Sequence, residues 1–113
     1  MTCQSSGISH QYIRRGTTPK QVFRVNMENP ASAKEIVVTY EQKGKEIIEK
    51  RKNDLTIENN IIWFRLTQEE TLSLKSNSDI EVQIRILTAD NQAPASAIFT
   101  LPVERILNEE VLE

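Results

Sequence analysis

The sequence predicts an all-β protein, an antiparallel β-sandwich of seven or eight strands with one short helical turn. Three observations carry that expectation. Apolar and polar residues alternate over short stretches, the period of a half-buried strand. Turn chemistry separates the stretches, at Asn29-Pro30, Lys43-Gly44, Asn53-Asp54 and Asn59-Asn60. No helix-period segment of ~10–15 residues lies between them, as a parallel α/β fold needs. Alternation with polar residues outward describes sheets with one wet face, and two such sheets facing each other make a sandwich.

Residues 1–10 are polar and small, without periodicity, and read as a flexible leader before a single domain over 11–113. Gln21 to Met27 alternates, with Phe23, Val25 and Met27 on one face. Lys34 to Gln42 puts Ile36, Val38 and Tyr40 together, and Lys43-Gly44 turns the chain into Lys45 to Arg51. Leu55 and Ile57 mark a short strand. Ile62, Phe64 and Leu66 mark the next, with Trp63 and Arg65 on its other side. Thr67-Gln68-Glu69-Glu70 has the capping-box spacing, in which Thr caps a helix start and the third residue on reaches back. One or two helical turns follow, burying Leu72 or Leu74. Asp79 to Leu87 is the cleanest strand, with Ile80, Val82, Ile84 and Ile86 in phase. Ala95 to Val103 is the last, with Ala97, Phe99, Leu101 and Val103 in register and Pro102 marking an edge or strand end. Arg105 to Leu112 fits a short strand, a helical turn or a docking tail.

Composition limits the chemistry. The chain has 113 residues, a net charge of −2, one Cys, one His and three Gly. Near-neutral charge gives no reason to expect a nucleic-acid or membrane partner. The longest apolar run, Ile61-Ile62-Trp63-Phe64, is far short of the ~20 residues of a spanning helix. A single thiol at Cys3 excludes an internal disulfide and fits a cytoplasm. His10 has no orienting carboxylate or nucleophile nearby in sequence. The glycines are too far apart for a phosphate loop. Glu69 and Glu70 point about 100° apart on a helix, so they do not form an acid/base pair. Asp54, Asp79 and Asp90 are too dispersed for a calcium loop. No catalytic residue, cofactor or metal site is expected. Lys43, Lys45, Lys50, Arg51 and Lys52 crowd one hairpin beside Glu46 and Glu49, which reads as a solvated edge guarded against pairing.

The candidates left are surfaces for protein contact. Trp63, the only Trp, falls on the outer face by alternation, with Arg65 beside it. Arg14 and Arg15 precede a glycine bend and suit an acidic partner or the chain's own glutamates. In the tail, Ile106, Leu107, Val111 and Leu112 stand among glutamates, a pattern suited to docking.

Several segments carry a resemblance. They are Tyr12-Ile13-Arg14-Arg15-Gly16-Thr17-Thr18-Pro19, Val37 to Gly44, Leu66 to Leu72, Glu81 to Arg85 and Val103 to Asn108. In this order they resemble small single-domain proteins of prophages in Gram-positive bacteria. Those proteins are similar to the N-terminal immunoglobulin-like domain of phage baseplate upper proteins. The resemblance implies an immunoglobulin-like sandwich. It also implies a tail or baseplate component that joins other phage structural proteins, or itself, by protein contacts. Such a chain is expected in the host cytoplasm during assembly and then in the virion. The other reading is a ligand- or carbohydrate-binding module, which would favour several exposed aromatic rings on one face. Glu104 departs from the family pattern, where glycine is usual.

Overall fold

A computed structural model describes residues 3–5, 12–27 and 29–113. The strands are β1 (Cys3–Ser5), β2 (Ile13–Arg14), β3 (Lys20–Val25), β4 (Glu35–Gln42), β5 (Lys45–Arg51), β6 (Thr56–Glu58), β7 (Ile61–Arg65), β8 (Asp79–Leu87) and β9 (Phe99–Glu104). The helix α1 (Gln68–Leu72) joins β7 to β8. One sheet has the order β1-β3-β7-β6 and the other β2-β9-β8-β4-β5. With β1, β3, β7 and β6 read as A, B, E and D, and β9, β8, β4 and β5 as G, F, C and C′, this is the strand order of an immunoglobulin-type sandwich.

Two strand pairings differ from the sequence expectation. Strand β2 pairs with β9 in parallel, Ile13 opposite Val103, so the second sheet is mixed. Cys3–Ser5, inside the stretch read as leader, pairs antiparallel with β3. The rest of that stretch, including His10, lies outside the described residues.

The core takes one face of every long strand. Ile36, Val38 and Tyr40 of β4 and Ile80, Val82, Ile84 and Ile86 of β8 meet Phe23 and Val25 of β3 and Ile62 and Phe64 of β7. The phase read from the sequence is therefore the buried phase on all four strands. Phe64 stacks on Phe23 of the same sheet at 6.0 Å between centroids, and Tyr40 of the other sheet meets Phe64 edge-on at 6.3 Å, a ring contact that links the two. Lys43 and Gly44 both have positive φ, at 54° and 77°, the conformation of a two-residue hairpin turn that follows the strands' own twist.

The last strand is shorter than expected. Ala95 to Ile98 runs irregularly beside β8, and Ser96 is buried while Ala97 is exposed. Ser96 Oγ accepts from Ile84 N at 3.0 Å and donates to Ala97 O at 2.7 Å, so the serine turns inward and the alternation changes phase before Phe99. Pro102 lies opposite Asp79 of β8 and beyond the two residues that β2 contributes, so β9 is an open edge on its other side, near the strand's end, where a missing N–H is tolerated. Glu104 takes an ordinary strand conformation, so its backbone needs no glycine.

Polar groups inside the sandwich are paired. Tyr40 is fully buried, and its hydroxyl donates to Gln21 Oε1 at 2.7 Å. Burial, and then the charge of Glu70, push the phenol well above its ordinary 10.0. Below pH about 10 the folded and unfolded chains both hold this proton, so stability does not depend on it. Above that the unfolded chain ionises and the folded one does not, so stability falls as pH rises. Alkaline titration at 295 nm should therefore show a phenol that ionises only with loss of the fold. Tyr40→Phe should remove that step. It should also cost about 1–2 kcal/mol, because Gln21 loses its partner.

Gln42 ends β4 with a second buried amide. Its Nε2 donates to Lys75 O at 2.8 Å and Ser78 O at 3.2 Å, and its Oε1 accepts from Lys75 N at 2.8 Å. One side chain thus fastens the loop that leads into β8.

Candidate interaction surface

The tail, β2 and α1 meet at one end of the sandwich. The capping box forms as its spacing predicts. Glu70 N donates to Thr67 Oγ1 at 3.1 Å, and Thr67 N donates to Glu70 Oε1 at 2.9 Å. Glu70 also pairs with Lys50 at 2.7 Å. Lys50 is therefore a part-buried tie between β5 and α1, not a solvated hairpin charge. Its neighbours are engaged as well. Arg51 pairs with Glu35 and Glu49, and Lys52 Nζ donates to the carbonyls of Ala31 and Ala33 at 2.8 and 2.6 Å. The hydrogen bond from Arg51 is the main reason the exposed Glu49 carboxyl lies below its ordinary range.

Arg15 is the centre of the corner. Its Nη2 donates to Leu72 O at 2.9 Å and its Nε to Leu74 O at 2.7 Å. These carbonyls close α1 and the turn after it, where no helical donor remains. The third arm, Nη1, donates to Glu109 Oε1 at 2.5 Å and ties the tail down. Arg15 is thus held internally, the alternative in which it meets the chain's own glutamates. Arg14 lies outward, its guanidinium 5.6 Å from the centre of the Tyr12 ring, and its Nη1 donates to Arg105 O at 2.7 Å.

The tail has no regular structure, and side chains hold it. Gln68 Nε2 donates to Leu112 O at 3.1 Å while Gln68 Oε1 accepts from Leu112 N at 2.8 Å, a side-chain copy of a strand pair. Gly16 is called for by its backbone, whose φ of +78° favours glycine; a Cβ there would make only ordinary contacts, 3.5 Å from Leu72 Cδ2 and 3.7 Å from Ile106 Cγ2. Between tail and β2 lies a cleft of about 610 Å³, lined by Arg14, Arg105, Ile106, Leu107, Asn108 and Leu112 among others. Leu107 is 87% exposed and Leu112 69%. Five of the residues singled out from sequence, Arg14, Ile106, Leu107, Leu112 and, through Glu109, Arg15, are therefore neighbours at this corner. Val111, 38% exposed, precedes Leu112.

Trp63 and Arg65 belong to a different surface, the outer face of the β1-β3-β7-β6 sheet. There Trp63 is part-buried between Val22 and Thr56 in register. Lys20 Nζ lies 4.3 Å from the ring centre, and Arg65 Nη1 donates to Thr18 O at 3.1 Å. Arg24 is exposed on the same face. These cations should draw anions to the ring. Iodide should quench Trp63 fluorescence about twofold more steeply than caesium at low ionic strength, and 0.5 M salt should erase the difference.

Among the described residues no group of three or more His, Cys, Asp or Glu side chains could hold a metal ion. No helix there is long and apolar enough to cross a membrane. No protein-family model matches the sequence, and no curated protein matches it significantly.

Proposed function

We propose that this chain is a non-enzymatic structural protein of a phage or prophage particle, associated with the tail or baseplate and working through protein contacts. The observation that carries the reading is the tail corner. The segment from Ile106 to Leu112 is pinned by Arg15 and Gln68 in a way that leaves Leu107 and Leu112 facing solvent beside an open cleft. Apolar groups held outward at a fixed position suit docking on another protein. The segment order that resembles baseplate domains supplies the class of assembly. Cytoplasmic synthesis followed by incorporation into the virion belongs to the same proposal. A carbohydrate module gains less support, because the Trp63 ring is shared with Lys20 and, among the described residues, has no second exposed ring on its sheet face.

Mass spectrometry of particles purified from an induced culture of the source bacterium tests the proposal. The chain should appear at fixed copy number with tail proteins. A chain lacking residues 107–113 should fold yet fail to enter particles. Absence of the full-length chain from all particles would overturn the reading.

A further inference from the structure

The outer faces of the two sheets carry opposite charge, each in an arrangement that is unfavourable alone. On one face Lys20 lies directly opposite Arg65 across β3 and β7, with Trp63 and Arg24 on the same surface and Glu58 the one acid there among the described residues, across Ile61 from Arg24 on β6. On the other, Glu46, Glu41 and Glu81 form a row across β5, β4 and β8, with Glu41 opposite both of the others. Like charges directly opposite across a sheet repel. Neither Glu41 nor Glu81 has an ion pair among the described residues. The next row adds Glu49, held by Arg51. Arg85 is the other cation on this face.

We propose that copies of this chain associate face to face, the Lys20–Trp63–Arg65 surface of one copy seated on the Glu46–Glu41–Glu81 row of the next. The chain's own basic face answers the need of its acidic one. Cross-strand neighbours lie about 5 Å apart and alternate residues along a strand about 7 Å. The Lys20/Arg65 pair and the glutamate row therefore have matching spacings. Trp63 and Val22 provide apolar area between the charges, as the centre of an interface requires. Because the two surfaces differ, the contact is heterologous and repeats head to tail, giving a ring or a filament. The inference deepens the assembly reading by naming a second copy as partner, and rests on it only in taking protein contact as the chain's work.

Sedimentation velocity of the full chain tests it over a range of concentrations. Association at low ionic strength should weaken at least tenfold in 0.5 M salt. Glu41→Lys/Glu81→Lys and Lys20→Glu/Arg65→Glu should each stay monomeric alone, and an equimolar mixture should associate again. The substituted side chains lie on outer faces, and unchanged circular dichroism checks the folds. A wild-type chain that stays monomeric at millimolar concentration and low salt overturns the proposal. So does association that survives both reversals, or a mixture that stays monomeric. A monomeric chain that still enters particles would refute stacking alone. Stacking without particle incorporation would refute the phage reading alone.

Discussion

Replacing Phe64 with alanine should lower the unfolding free energy by about 3–5 kcal/mol. The ring is 3% exposed and joins the two sheets, stacked on Phe23 and edge-on to Tyr40. Its loss removes burial and leaves a cavity that neither sheet can close, because each is held by its own ladder. A domain of this size has about 5–15 kcal/mol in all, so this one change takes a large fraction. Urea denaturation followed by circular dichroism measures it as a shift of midpoint at unchanged slope. Trp63→Ala, one residue away on the outer face, should cost much less. Equal costs for the two would mean that the faces of β7 are misassigned.

That contrast between neighbouring residues was legible in the sequence, since a period of two separates inner from outer positions without any knowledge of partners. The same period identified Ile80 to Ile86 and Ile36 to Tyr40 as core, and the Thr67–Glu70 spacing found the helix start. What it did not reveal depends on contacts between distant residues. The parallel pairing of β2 with β9 rests on two residues that carry no pattern of their own. The change of phase at Ser96 comes from a hydroxyl that bonds a strand twelve residues earlier. Lys50 reads as a surface charge until α1 brings Glu70 to it. Gln21 and Gln42 at inward positions were the local signs of buried amides, because alternating strands place them on the faces of Phe23 and Tyr40. The corner was legible as a set of unusual residues, but only the fold makes Arg15 their internal anchor and puts Trp63 elsewhere.

Replacing Arg15 with alanine should cost about 2–4 kcal/mol, the second largest effect expected. Two of its three hydrogen bonds reach the carbonyls of Leu72 and Leu74, part-buried groups with no other donor to replace it. Glu109 contributes less. Its carboxylate is 58% exposed, and a pair of that kind is worth under about 1 kcal/mol. Glu109→Gln should therefore loosen the tail while the domain stays nearly as stable. Arg15→Lys should behave like the alanine variant for stability, because one ammonium cannot serve three acceptors in a plane. Urea midpoints separate these variants, and amide exchange locates the effect. In Arg15→Ala protection should fall both at Ser73–Leu74 and along Asn108–Leu112; in Glu109→Gln it should fall in the tail alone. If Glu109→Gln proved as costly as Arg15→Ala, the tail itself would be holding α1 on the sandwich. The exposed side chains of Leu107 and Leu112 would then stand on a structural element instead of a detachable strap.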